Sequence, residues 1–361
     1  MLHQDYEWVK ERWLKFWNKE NHDRPIIYGA VPMPENMRKT DITVDVPAAL
    51  KERWENPEYV VASARHAMQN TWFGGEMVPV LNPNLGPDIV GAVAGCEIEY
   101  GEGTSWAHPI VEDWENHPEI KFDENNLWWQ KIKAITEAAA ADAKGDYLVG
   151  ITDLHPGTDG LVSLRGPQEL CFDLMDTPEL ILPRNDEVFE VHKEMYRRLD
   201  GIIAPNQEGT INWMGIWHPE KKWYVVGSDF SCMVSSEDYE RFVLPGIIKE
   251  IEFLESSIYH LDGPGALRHL DRILEIEKLD GVQWVPGAGA KPAREWIDVL
   301  KKIQDAGKLV TITCEPEDIL PICEALDPEG VALLLTGCRT PEEFNEILRE
   351  AERVTASKKA K

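Results

Sequence analysis

Apolar and polar positions follow two regimes along this chain, and the change falls near residue 145. Ahead of it, residues 5–20 place Val9, Trp13 and Trp17 four apart with charges between them, the spacing of one apolar helix face packed on a larger body. Residues 25–30, Pro-Ile-Ile-Tyr-Gly-Ala, predict a strand. A long stretch rich in Pro, Gly, Trp and acid follows, with a loop over 81–87 and a hairpin around 96–106. From residue 147, short apolar runs alternate with helical segments, the pattern of parallel strands joined by helices. These runs are 147–153, 210–217, 223–230, 257–262, 281–286, 309–314 and 331–337.

The later helices carry their own start and stop signals. Pro292 opens a helix whose Trp296, Val299, Leu300 and Ile303 form a stripe before Gly307 ends it. Thr340-Pro341-Glu342-Glu343 combines a capping box with Pro at the first helical position. Residues 356–361 predict a frayed, Lys-rich tail. Four strand-then-helix units near the end, after several earlier strands, predict an α/β fold of the closed (β/α)8 TIM-barrel type. The expected organisation is one domain over 1–361. Residues 1–145 form an N-terminal elaboration with the first strand or strands, and 146–355 the regular βα units.

Charge and cysteine content narrow the function. With 37 Lys and Arg against 64 Asp and Glu, the net charge of −27 argues against nucleic acid or an anionic membrane as partner. It also argues against a polyanionic substrate unless Arg residues cluster locally. Six cysteines, at 96, 171, 232, 314, 323 and 338, show no CxxC and no regular spacing, unlike a disulfide framework. The first ten residues lack the basic region and apolar run of a signal peptide, and no 18-residue apolar stretch occurs, so a cytoplasmic protein is expected. No GxGxxG or P-loop stands at a βα turn, which weakens a nucleotide-binding reading. The 14 Trp residues suit helix-on-sheet packing, with some lining a pocket.

Candidate chemistry collects at strand ends. In Tyr259-His260-Leu261-Asp262-Gly263, His260 and Asp262 lie two apart on an extended strand and so face one side. Cys338 follows 76 residues beyond Asp262, again after an apolar run. These three donor types suit zinc with one position open. The alternative is structural: His260 caps a loop, Asp262 bonds the glycine turn, and Cys338 fills core. Asp153, His155, Asp229, Gln283, Trp284, Cys314 and Glu315 also fall at the expected C-terminal ends of strands, where barrel active sites form. Asp153 and Asp229 as turn caps, and Trp284 as core, are the bland readings beside these.

A family resemblance enters here. Segments 173–180 (Asp-Leu-Met-Asp-Thr-Pro-Glu-Leu), 259–271, 283–289 (Gln-Trp-Val-Pro-Gly-Ala-Gly) and 336–343 resemble the uroporphyrinogen decarboxylase-like superfamily. That superfamily holds true uroporphyrinogen decarboxylases and zinc methyltransferases that work with corrinoid proteins. The resemblance covers residues 145–355, and the N-terminal third in outline. The decarboxylase branch holds eight substrate carboxylates with an Arg-Gln-Ala-Gly-Arg pattern. Here residues 31–39 read Val-Pro-Met-Pro-Glu-Asn-Met-Arg-Lys, and that pattern is missing. The methyltransferase branch binds zinc through a His-x-Cys pair and a later Cys, which His260 and Cys338 match, with Asp262 in place of the middle Cys.

A carboxylate at that place makes the ligand set harder and favours oxygen chemistry over a thiol acceptor. The resemblance therefore implies a zinc-dependent methyltransferase that takes a methyl group from a small methoxylated donor, such as an aryl methyl ether, to a corrinoid protein. His260, Asp262 and Cys338 are the expected ligands, with Cys314 or Glu315 as substitutes. Asp153, His155 and Asp229 are expected to orient substrate or deliver a proton. Trp284, Gln283 and Trp217 are expected to line the substrate site. The alternatives are a metal-independent decarboxylase of a smaller acid, with Asp229 stabilising a protonated intermediate, and a non-catalytic ligand-binding barrel.

Overall fold

The structure, a computed structural model, describes residues 5–38 and 44–359. Thirteen strands occur among the described residues: β1 (Ile26–Pro32), β2 (Thr71–Gly75), β3 (Val80–Leu81), β4 (Glu97–Tyr100), β5 (Ser105–His108), β6 (Leu148–Val149), β7 (Thr210–Ile211), β8 (Trp217–His218), β9 (Trp223–Gly227), β10 (Ser256–Asp262), β11 (Gly281–Val285), β12 (Leu309–Cys314) and β13 (Val331–Leu335). Seven of them form one sheet in the order β2-β1-β13-β12-β11-β10-β9. Only the edge pair β1–β2 is antiparallel; the other neighbours are parallel, as βα connections require.

The ladder is open between β9 and β2. Across that gap lie a short parallel pair, β3–β6, and a single parallel bridge from Ile151 to Asn212. The brevity of β3 follows from its flanks, since Pro79 and Pro83 lack the N–H that would extend the ladder. Tyr224 of β9 ties the segment after β6 in place: its hydroxyl donates to the Thr152 carbonyl (2.5 Å) and accepts from Leu154 N (2.8 Å). The fold is thus α/β with a mostly parallel seven-stranded central sheet and helices around it.

Several expectations are refined by this geometry. The run 210–217 is not one strand: β7 and β8 fold back on each other antiparallel, turning where Gly215 N donates to Asn212 O and Gly215 takes φ +70°. The first helix, Tyr6–Trp17, buries Val9, Trp13 and Phe16, with Trp17 at the margin. It is pinned by a buried charge cluster. Arg12 and Arg24 reach Glu76 at 2.8 and 2.9 Å, and the same carboxylate accepts from Ile27 N at the start of β1. The hairpin expected around 96–106 is β4–β5. At the C-terminus, Thr340 Oγ1 accepts from Glu343 N, and the helix Pro341–Lys359 takes in residues 356–359 of the expected tail. Residues 360 and 361, the first four residues and Lys39 lie outside the described residues. Among the described residues, no helix is long and apolar enough to cross a membrane.

Candidate active site

The site forms where β9 and β10 end side by side. The parallel register places His260 of β10 opposite Gly227 of β9 and opposite Gln283 of β11. Gly227 is needed there: a Cβ would meet the His260 carbonyl at 2.9 Å and its Cβ at 3.3 Å. Along β10 the partly exposed positions are His260 and Asp262, so the two side chains emerge on one side, as period two demands.

Two residues beyond β9 the chain turns into a short 3-10 segment, Asp229–Met233, which brings Asp229 to the same place. His260, Asp262 and Asp229 each offer a donor atom within 4.8 Å of the others. His260 Nδ1 lies 2.6 Å from Gln283 Oε1, a bond in which the imidazole donates and the amide oxygen accepts. In the neutral ring this leaves the lone pair on Nε2, which lies 3.9 Å from Asp229 Oδ1. Imidazole with one nitrogen tied to an acceptor and the other turned to carboxylates is the arrangement of a metal-ligating histidine. Asp262 makes no side-chain cap bond to the following turn, so its carboxylate is not spent on the glycine segment.

A second cluster shares Asp229. His155, Asp159 and Asp229 also lie within 4.8 Å of one another. His155 Nε2 pairs with Asp153 Oδ1 at 2.8 Å, and its Nδ1 lies 3.9 Å from Asp159 Oδ2. Burial pushes this imidazole towards neutrality, but the carboxylates of Asp153 and Asp159 outweigh it and hold His155 protonated well above the ordinary range. Asp159 also accepts from Asp229 N (2.8 Å) and Phe230 N (2.9 Å), which fixes the turn that presents Asp229. Burial and the nearby Asp159 raise the Asp229 carboxyl, against the opposing pull of His260 and His155. Trp213 closes the wall, its ring edge-on to His260 at 5.3 Å.

Asp153, His155, Asp229, His260, Asp262 and Gln283 thus come together, with Gln283 acting on His260. Cys338 belongs to neither cluster. It follows β13, and β12 and β11 stand between β13 and β10, three ladder steps of ~4.8 Å each. Burial and the carboxylates of Glu343, Glu315 and Glu317 push its thiol up to about 11. Cys314 is buried, its thiol pushed well up by burial and by Asp318. Glu315 caps the helix Pro316–Ala325 in a reciprocal capping box with Asp318. The thiol that feels the cluster is Cys232, raised by burial and then by Asp229 and Asp262.

Trp217 and Trp284 are core rather than pocket wall. Trp217 is fully buried, its indole N–H on the Glu208 carbonyl and its ring against Tyr6. Trp284, also fully buried, packs edge-on to Trp296 at 5.1 Å. Asp159 and Trp213 were missed by sequence reasoning. Asp159 had a usable signal, standing four residues after His155 at the start of a helix, whereas nothing local marks Trp213.

No protein-family model and no curated protein matches the chain. Among solved structures it is similar to a methyltransferase from Methanosarcina mazei, at TM-score 0.59 and 14% identity, covering 96% of this chain and 98% of that one. At that identity the likeness establishes a shared fold.

Proposed function

We propose that this chain is a methyltransferase that takes a methyl group from a small methoxylated donor, of the aryl methyl ether class, to a corrinoid protein. The observation that carries the reading is His260, its Nδ1 on Gln283, gathered with the carboxylates of Asp229 and Asp262 beside His155, which is paired to Asp153. The name of the M. mazei neighbour and the resemblance to the methyltransferase branch of the uroporphyrinogen decarboxylase-like superfamily point the same way. Six free cysteines accord with a cytoplasmic setting. The reading also takes the central sheet, the β3–β6 pair and the 151–212 bridge together as one barrel whose strand ends carry the site.

One imidazole and two carboxylates fit zinc or a similar divalent cation with positions left for substrate. His260, Asp262 and Asp229 would hold it, Asp229 taking the place expected of Cys338. Zinc there would supply Lewis acidity towards the donor oxygen, and the corrinoid partner the cobalt that accepts the methyl group. The residues of the chain do the rest. As the carbon–oxygen bond breaks, His155 gives the departing oxygen a proton from Nδ1, while Asp153 keeps Nε2 and the ring plane fixed. Asp159 holds both His155 and the Asp229 turn, so acid and ligand keep one relative position. The residues lining the inner cavity include no Lys or Arg, which supports this reading over a polycarboxylate decarboxylase.

The test is an anaerobic assay of the zinc-loaded protein with reduced cobalamin and a series of methoxyarenes. Methylcobalamin, read by its visible spectrum, should form with wild type and fall at least 100-fold in His155→Gln. Turnover of uroporphyrinogen, with no methyl transfer from any donor, would contradict the proposal.

A further inference from the structure

The acid–base cluster opens into a groove of about 270 Å³, close to the lower end of small-ligand sites. Its walls are apolar: Pro87, Val162, Pro167, Phe230 and Met233. Met233 is half exposed at the rim, while Phe230 is buried beneath it. Two proline faces and a thioether are surfaces against which a flat ring packs well. The ionisable groups on the groove are His155 and three carboxylates, those of Asp88, Asp159 and Asp229, with no Lys or Arg. Asp153, paired to His155, adds a fourth carboxylate just behind.

We propose that this groove binds the methyl donor and selects an aromatic methyl ether without negative charge, rejecting the ring-carboxylated congener. The inference rests on the methyl-transfer reading for its orientation. A ring lying on the prolines and Met233 points its methoxy group at His155 and Asp229, which the groove shares with the inner cavity. With the methoxy group turned to the metal site, a carboxylate across the ring lies on the Asp88 side of the groove, which has no Lys or Arg to pair with it, while His155 is already paired to Asp153 and Asp159.

The test separates binding from turnover. Full-length, zinc-loaded protein without cobalamin is titrated with 2-methoxyphenol and with 4-hydroxy-3-methoxybenzoate, following tryptophan fluorescence and calorimetry. The neutral ether should bind at least tenfold more tightly, and raising salt from 0.05 to 0.5 M should narrow the ratio as repulsion is screened. Met233→Arg, which places a cation at the exposed rim, should narrow it to about threefold by tightening the carboxylate, a change of about 0.7 kcal/mol at 1.4 kcal/mol per decade. Equal or reversed affinities in wild type, or no binding of either probe, would overturn the inference. Tenfold selectivity that neither salt nor Met233→Arg alters would also overturn it, because the discrimination would not be electrostatic. Selective binding without methyl transfer to added cobalamin would leave the groove standing and count against the proposed function alone.

Discussion

Replacing Gln283 by Leu isolates the hydrogen bond that sets the His260 tautomer. The bond is short, 2.6 Å, and Gln283 is 9% exposed, so a Leu of similar volume packs in its place and leaves Nδ1–H without an acceptor. Orphaning such a donor costs about 1–3 kcal/mol, and the imidazole is free to move its proton to Nε2, the atom meant for the metal. Loss of an outer partner of a metal-bound histidine weakens affinity by roughly 10–100-fold, or ~1.4–2.7 kcal/mol. Gln283→Glu retains an acceptor and adds negative charge, so zinc affinity should hold or rise. The assay is competition with a chromophoric chelator at pH 7, with circular dichroism confirming that each variant is folded. A folded Gln283→Leu protein that binds zinc within twofold of wild type would refute the reasoning, as would Glu and Leu variants of equal weakness.

Three further outcomes follow from the same geometry. Glu76→Ala removes the one fully buried carboxylate shared by Arg12 and Arg24, leaving them only the more exposed Asp23 and Glu352, and should cost about 3 kcal/mol in urea unfolding; a loss under ~1 kcal/mol would show that those partners or water replace the ion pair. Because the folded-state His155 is raised, its protonation contributes stability that is complete below about pH 6.5 and lost as pH rises through the folded value. The stability gap between wild type and Asp153→Asn should therefore be widest below that pH and close at alkaline pH, whereas a gap independent of pH would contradict the pairing. Asp262→Cys should keep zinc yet lose methyl transfer from methoxylated donors, since thiolate donation lowers Lewis acidity; unchanged turnover would show that residue 262 does not set the chemistry.

The alternation of apolar and polar positions marked which end of each strand gathers polar side chains, and this is why the clustering of Asp153, His155, Asp229, His260 and Asp262 was legible. The order of strands around the sheet is not written in any local pattern. His260 and Asp229 meet because β10 and β9 are neighbours, while Cys338 sits three ladder steps from His260 although its local sequence resembles a ligand site equally well. The two misplaced tryptophans have the same origin. Trp217 belongs to a two-residue strand folded back beneath the first helix, and Trp284 faces outward to Trp296, because an apolar run buried on both faces gives no sign of which face looks to the site. Asp159 stands four residues after His155, a readable spacing, but its bonds to backbone N–H groups about seventy residues away leave no trace in the local sequence.

The most direct test of the central claim is an anomalous-scattering map from crystals grown with zinc and measured on both sides of the zinc edge. One strong peak is expected, bound by His260 Nε2, Asp262 and Asp229 and lost in His260→Ala crystals. A peak bound instead by Cys338 among Glu315 and Glu343, or no peak within reach of His260, would contradict the claim.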